Sequence, residues 1–141
     1  MKIYASFLKG FIVGLIIISP IAYAGTITET VEYQSETPKS TRGIILQYIY
    51  DLADQYDVDR NTVVAIAKCE SRLVINATNK NKNGTIDRGL LQVNSIHTKR
   101  AKDMGFDLNM PSESLEFGVW LMSKEGLRPW NSSKHCWKKN I

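Results

Sequence analysis

Cysteine, histidine and proline are scarce in this chain: two, two and four among 141 residues. Two thiols exclude a disulfide-dense miniprotein. No second Cys or His stands at zinc-ligand spacing beside Cys69, and His135-Cys136 is only a fragment of such a site, so no metal or cofactor is expected. A concentrated basic stripe is also missing. Apart from Lys99, Arg100 and Lys102 and the terminal Lys134, Lys138 and Lys139, the cations are scattered, which argues against a nucleic-acid partner. There is no internal repeat and no low-complexity tract. What remains is 43% hydrophobic and 23% charged, enough apolar material for one compact domain and not for two.

The first residues have a different character. Lys2 and Lys9 flank a short aromatic-aliphatic start, Phe11 to Ile18 is uncharged and apolar, and Ala22-Tyr23-Ala24 is a small-x-small ending. This is the layout of a secretory signal peptide over 1–24, with cleavage after Ala24. An uncleaved anchor is the alternative, but the stretch from Lys9 to Pro20 falls short of the roughly 20 apolar residues that span a bilayer. An exported protein, periplasmic or secreted, is therefore expected, meeting the membrane only during export. Taking Lys2 and Lys9 from the 18 basic residues leaves 16 against 14 acidic ones. Such a mild positive balance suits an anionic polymer. Export also changes the reading of the thiols, because Cys69 and Cys136 can pair in an oxidising compartment, and with two thiols only one intramolecular pairing exists.

Residues 25–41 are polar, rich in Thr, Ser and Glu, and read as an extended leader. The domain proper is expected over 42–141. Ile45, Ile49, Leu52, Ala53 and Tyr56 recur at helical spacing. Asp59 is a candidate N-cap for a second helix through about Arg72. A polar, Asn-rich loop follows, centred on Asn83-Gly84, the strongest short signal for a β-hairpin. A third helix is expected from Ser95 to Met104. A fourth begins at Pro111-Ser112 and stops at Gly126, with Leu115, Val119 and Met122 inward. The tail from Leu127 reads as aromatic and irregular. The expected class is α+β, mostly helical, with one small hairpin.

The second helix carries the chemistry. At 100° per residue Val63, Ile66, Ala67 and Glu70 share a face while Lys68 and Arg72 point away. A carboxylate is thus placed at the C-terminal end of an apolar stripe, where desolvation and the helix dipole both disfavour its charged form. Such a group can keep its proton near neutral pH and give it to a leaving oxygen. Taken alone, Glu70 could equally reach solvent or pair with Arg72. Asp87 lies 17 positions on (70 to 87), beyond the expected turn. Two carboxylates across a groove, one in apolar and one in Asn-rich surroundings, form the constellation that cleaves glycosidic bonds.

Three segments carry a family likeness: Ala67-Lys68-Cys69-Glu70-Ser71, the Asn-rich stretch Asn76 to Asp87, and Gly89-Leu90-Leu91-Gln92-Val93-Asn94. Together they resemble the lysozyme superfamily over about Ile44 to Trp137. Glu70-Ser71, the run from Asp87 to Asn94 and the signal segment resemble bacterial lytic transglycosylases of the SLT type, above all the small exported ones that accompany secretion and conjugation machines. The hairpin and the Glu-to-Asp spacing resemble C-type lysozymes as well. Paired-carboxylate logic is itself best known from lysozymes, so it is shared with this superfamily and not independent of it. The resemblance implies a lysozyme-like fold and peptidoglycan glycan strands as substrate. It makes Glu70 the acid/base and Asp87 the second carboxylate. Ser71, Asn79, Asn81, Gln92 and Asn94 become groove residues. Trp130 is either a sugar-stacking face or a core indole. The outcome implied is a 1,6-anhydro product formed by the substrate's own 6-hydroxyl; hydrolysis by Glu70 with Asp87, and a glycan-binding module that does not cut, are the alternatives. The Tyr-Asn-Ala-Gly segment that usually closes an SLT domain is absent, and Arg128-Pro129-Trp130-Asn131-Ser132-Ser133 stands in its place.

Asn79, Asn81, Asn83, Gly84 and Asp87 mimic a calcium loop, but Leu90 occupies the position of the bidentate Glu and the first three ligands carry no charge. His97 has no matched catalytic partner and reads as surface or substrate-facing.

Overall fold

The computed structural model describes residues 40–141. The signal segment 1–24 and the leader as far as residue 39 lie outside the described residues. Ser40, read as leader, belongs to the domain: its side chain accepts from the Gly43 N–H at 3.2 Å and caps the first helix, α1 (Thr41–Gln55). Ile49, Leu52 and Ala53 bury their side chains from α1. Tyr56, at its end, donates to Glu116 Oε1 at 2.8 Å; burial, then that carboxylate, pushes the phenol pKa up to about 12.

α2 (Arg60–Ser71) starts as its sequence suggests, with Asp59 Oδ1 accepting from the Thr62 N–H at 2.7 Å. A single apolar face is too narrow a description, however. Val63, Val64, Ala65, Ile66 and Ala67 are all buried, so this helix runs through the core with neighbours all round. It ends without glycine. Arg72 and Leu73 adopt φ of 55° and 65°, a left-handed pair that costs of order 1–3 kcal/mol per residue and is offset in part by Leu73 entering the core.

The hairpin forms, as β1 (Thr78–Lys80) and β2 (Ile86–Arg88), and a third strand, β3 (Val93–Asn94), adds to it in the order β1-β2-β3, all antiparallel. Gly84 takes φ +85° whereas Asn83 keeps a negative φ, so the turn uses the glycine as its single left-handed residue. The register sets Asn79 opposite Asp87 and Asp87 opposite Asn94. Those three residues form one cross-strand row, and Asn81, two residues from Asn79, continues the same face.

Ser95–His97 is a 3-10 turn leading into α3 (Thr98–Asp103), so the expected third helix is shorter and starts more tightly. α4 (Pro111–Glu125) matches its expected limits, with Pro111 in the first turn and Gly126 beyond the end at φ +64°. Gly118 lets α4 press against the sheet: a Cβ there would stand 2.7 Å from Leu91 Cδ1 and 3.1 Å from Val93 Cγ2. Gly118→Ala is expected to destabilise the domain by about 1–3 kcal/mol through overpacking, read as a lower urea midpoint at unchanged slope.

The tail is irregular only at one point. Arg128–Ser133 is a 3-10 segment kinked at Trp130 (φ −102°, ψ 18°), and α5 (Lys134–Trp137) is one helical turn. Two indoles order it, Trp130 Nε1 donating to the Leu91 carbonyl at 2.8 Å and Trp137 Nε1 to the Trp130 carbonyl at 2.9 Å. Cys69 and Cys136 are joined, with their Cα atoms 6.0 Å apart. The architecture is a mostly helical α+β domain with the sheet at one side of a cleft. No helix among the described residues is long and apolar enough to cross a membrane.

Candidate active site

A cleft of about 570 Å³ lies between the end of α2, the sheet and the tail. Glu70 and Asp87 both line it, with Asn81, Gln92, Asn94 and His97. The last turn of α2 brings Glu70 there half-buried. Burial is the first cause holding its carboxyl above the ordinary value; the nearby charge of Asp87 adds to this, and a hydrogen bond from Ser133 opposes it. The bond runs from Ser133 Oγ to Glu70 Oε1 at 2.5 Å. Sequence reasoning missed Ser133: nothing local in Asn131-Ser132-Ser133 marks it, and only the docked tail brings it to the acid. In a chain without the Tyr-Asn-Ala-Gly segment, the acid's partner comes from here.

Asp87 is surrounded by amides. Asn81 Nδ2 donates to Oδ2 at 2.9 Å, Asn94 Nδ2 to Oδ1 at 2.6 Å, and Asn79 Nδ2 reaches Oδ2 at 3.5 Å. Thr85 Oγ1 ties the group together, accepting from Asn81 and Asn94 at 3.0 Å each and donating to Asn83 Oδ1 at 2.8 Å. The cross-strand row explains the arrangement: these residues meet because the register places them abreast. Asn94 also accepts from the Ile96 N–H at 3.0 Å, so its side chain holds Asp87 and the next turn in place. Asn79 lies on the exposed outer strand. Two asparagines of the calcium-like pattern, Asn79 and Asn81, turn N–H groups toward the carboxylate, and the third, Asn83, has its Oδ1 occupied by Thr85. Among the described residues no group of three or more His, Cys, Asp or Glu could hold a metal ion.

Ser71 and Trp130 border the site but show little surface to it. Ser71 is 7% exposed and donates to the Ala67 carbonyl one turn back, at 3.0 Å. Trp130 lies beneath the cleft, 4% exposed with its N–H on a backbone carbonyl, so its ring is a floor and not an open stacking face. Of the two readings of Trp130 the core indole is the one found; a motif gives position in the chain but not which way a side chain turns. Gln92 does border the cleft. Its Nε2 donates to the Gly89 and Ala77 carbonyls at 2.9 and 3.1 Å, which leaves Oε1 as the atom that can accept from a sugar. Its backbone is left-handed, φ +48°, a strained conformation of the sort that collects at working sites. His97, at the cleft edge, is held below its ordinary pKa, first by burial and further by Arg100, with Glu125 opposing.

A half-buried carboxyl with a raised pKa, lining the same groove as an amide-bound carboxylate, is the arrangement of lysozyme-like glycan-cleaving domains. The family comparison agrees: residues 47–134 match the transglycosylase SLT domain model, and the chain belongs to that family. That family is named for transglycosylase chemistry. Among characterised proteins the chain is similar to Protein IpgF of Shigella flexneri, 32% identical over 75 residues, covering 50% of this chain and 49% of that protein. It is likewise similar to Invasion protein IagB of Salmonella typhimurium (strain SL1344), 35% identical over 72 residues, covering 48% of this chain and 45% of that protein. The chain thus spans about half the length of the curated relatives it matches.

Proposed function

We propose that this protein is an exported lytic transglycosylase that cuts the β-1,4 bond between N-acetylmuramic acid and N-acetylglucosamine. The observation carrying this reading is Glu70, half-buried with a raised pKa, facing Asp87 in a cleft of an SLT-family domain. Glu70 gives its proton to the glycosidic oxygen as the bond to the muramic C1 breaks. Positive charge developing at C1 faces Asp87, which its three amide donors hold in place. Glu70, now ionised, takes the proton of the muramic 6-hydroxyl as that oxygen closes on C1. The acid is regenerated, no water is consumed, and the product is a 1,6-anhydro end.

Asp87 supports a second outcome. A carboxylate so well held can equally serve a hydrolase, in which water attacks C1. Mass spectrometry of digested wall separates the two, because the anhydro fragment is one water lighter than the hydrolysed one. The expected product is the anhydro species from wild type and, at a reduced rate, from Asp87→Asn. Reducing ends as the sole product would overturn the transglycosylase reading.

A mild positive balance and the signal segment support export toward an anionic wall. The likeness to a protein named for invasion supports a role in opening the wall locally for a secretion or conjugation machine.

A further inference from the structure

Two chain segments are cross-linked immediately beside the acid. Cys69 precedes Glu70, and its partner Cys136 follows Ser133 by one helical turn. The disulfide is therefore a frame around the Glu70–Ser133 pair. Within that frame Ser133 Oγ has two acceptors in reach, Glu70 Oε1 at 2.5 Å and the Trp130 carbonyl at 3.2 Å, but a hydroxyl has one proton to give. The Trp130 carbonyl is already paired with Trp137 Nε1 at 2.9 Å, so it loses little when the hydroxyl turns away. Ser133 is free to spend its proton on the acid.

We infer that Ser133 is a positioning residue that fixes which oxygen of Glu70 carries the catalytic proton. The inference rests on the acid/base reading of Glu70. With the hydroxyl directed at Oε1, that oxygen acts as acceptor and the proton is left to Oε2, which has no protein donor among the described residues. When Oε2 yields its proton to the leaving sugar, negative charge spreads over the carboxylate. The bond from Ser133 then becomes charge-assisted, roughly twice as strong as before. It strengthens as the reaction proceeds, so it lowers the barrier instead of merely favouring the bound state. In the second half-reaction the same bond keeps Oε2 as the base that accepts the 6-hydroxyl proton. The balance is closed: one proton leaves Oε2, one returns, and the Ser133 proton never transfers. The bond also counters burial, which pushes the Glu70 carboxyl pKa up.

Four forms of the disulfide-bonded chain test this: wild type, Ser133→Ala, and the volume-matched pair Ser133→Thr and Ser133→Val, which differ in the hydroxyl. Alanine and valine are expected to lower kcat about 10- to 100-fold with KM within about twofold, the loss of one hydrogen bond to a charged group. The alkaline limb of their pH profile should move up, because the removed bond favoured the ionised form. Threonine should restore rate and limb together. A carbon-13 NMR titration of the Glu70 carboxyl, assigned with Glu70→Gln, should show the same upward midpoint in alanine and valine and none in threonine. An unmoved midpoint in the valine form, or a rate loss with an unmoved limb, overturns the proposal and leaves Ser133 as packing only. If wild type leaves peptidoglycan intact, the functional reading falls, while the NMR midpoints still decide the hydrogen bond.

Discussion

Glu70→Gln is expected to lower the rate of wall cleavage about 10²- to 10⁴-fold, the range that a positioned general acid supplies, while wall binding stays near wild type. Glutamine matches the shape of glutamic acid and keeps a carbonyl oxygen for the Ser133 hydroxyl, so the cleft should retain its form. Turbidity of purified walls reads the cleavage, and co-sedimentation reads the binding. A glycan-binding module that does not cut would show the same clearing with and without the substitution.

The substitution carries a second expectation, of opposite sign. Burial raises the Glu70 pKa in the folded state above its value of 4.5 in an open chain. Folded protein therefore holds a proton that the unfolded chain releases, and stability declines as pH rises from the unfolded value through the folded one. Glutamine has no charge to bury. Glu70→Gln should melt higher than wild type at neutral pH, with the gap closing below about pH 4 as the wild-type group is protonated in both states. Because Glu70 is only half-buried and the Ser133 bond works the other way, solvent and that bond make the gap smaller than full burial would. Equal melting temperatures across the whole pH range would remove the raised pKa.

Much of this was legible in the chain because it is local. Asp59 and Pro111 mark helix starts through caps and missing donors; Gly126 marks a stop; Asn83-Gly84 marks the turn. Glu70 stood out by helical spacing, with Lys68 exposed as expected, although the middle of the helix, Val63 to Ala67, is buried all round and not along one stripe. The third strand did not show, since two residues are too few for alternation to register. Nor did the row Asn79–Asp87–Asn94, which exists only once the strands choose their register. Ser133 is the furthest case. It meets Glu70 across 63 positions of sequence, and what brings it there is the packing of two tryptophans and a covalent bond, none of which is a property of the residues beside it.

Removing that covalent bond is expected to have the largest effect on stability. Cys69 and Cys136 are separated by 67 positions, and a loop of that size corresponds to about 4 kcal/mol of lost unfolded-state freedom. Small domains have about 5–15 kcal/mol in all, so the reduced form should lose between about a quarter and most of its stability. Replacing both cysteines by alanine avoids a stray thiol and isolates the cross-link; urea unfolding should show a midpoint lowered by the equivalent of about 4 kcal/mol, with wild type in reductant matching it. The effect on activity should come before unfolding. At low urea, where the double variant is still folded, the tail is held to the domain by its buried tryptophans and the Trp130–Leu91 hydrogen bond without the cross-link, and Ser133 has more room to leave Glu70. The alkaline limb of the variant should then drift upward, toward that of Ser133→Ala. A variant that loses stability but keeps the wild-type pH profile would mean that the two indoles alone position the serine. One that keeps both would show that the unfolded chain gains little freedom when the loop opens.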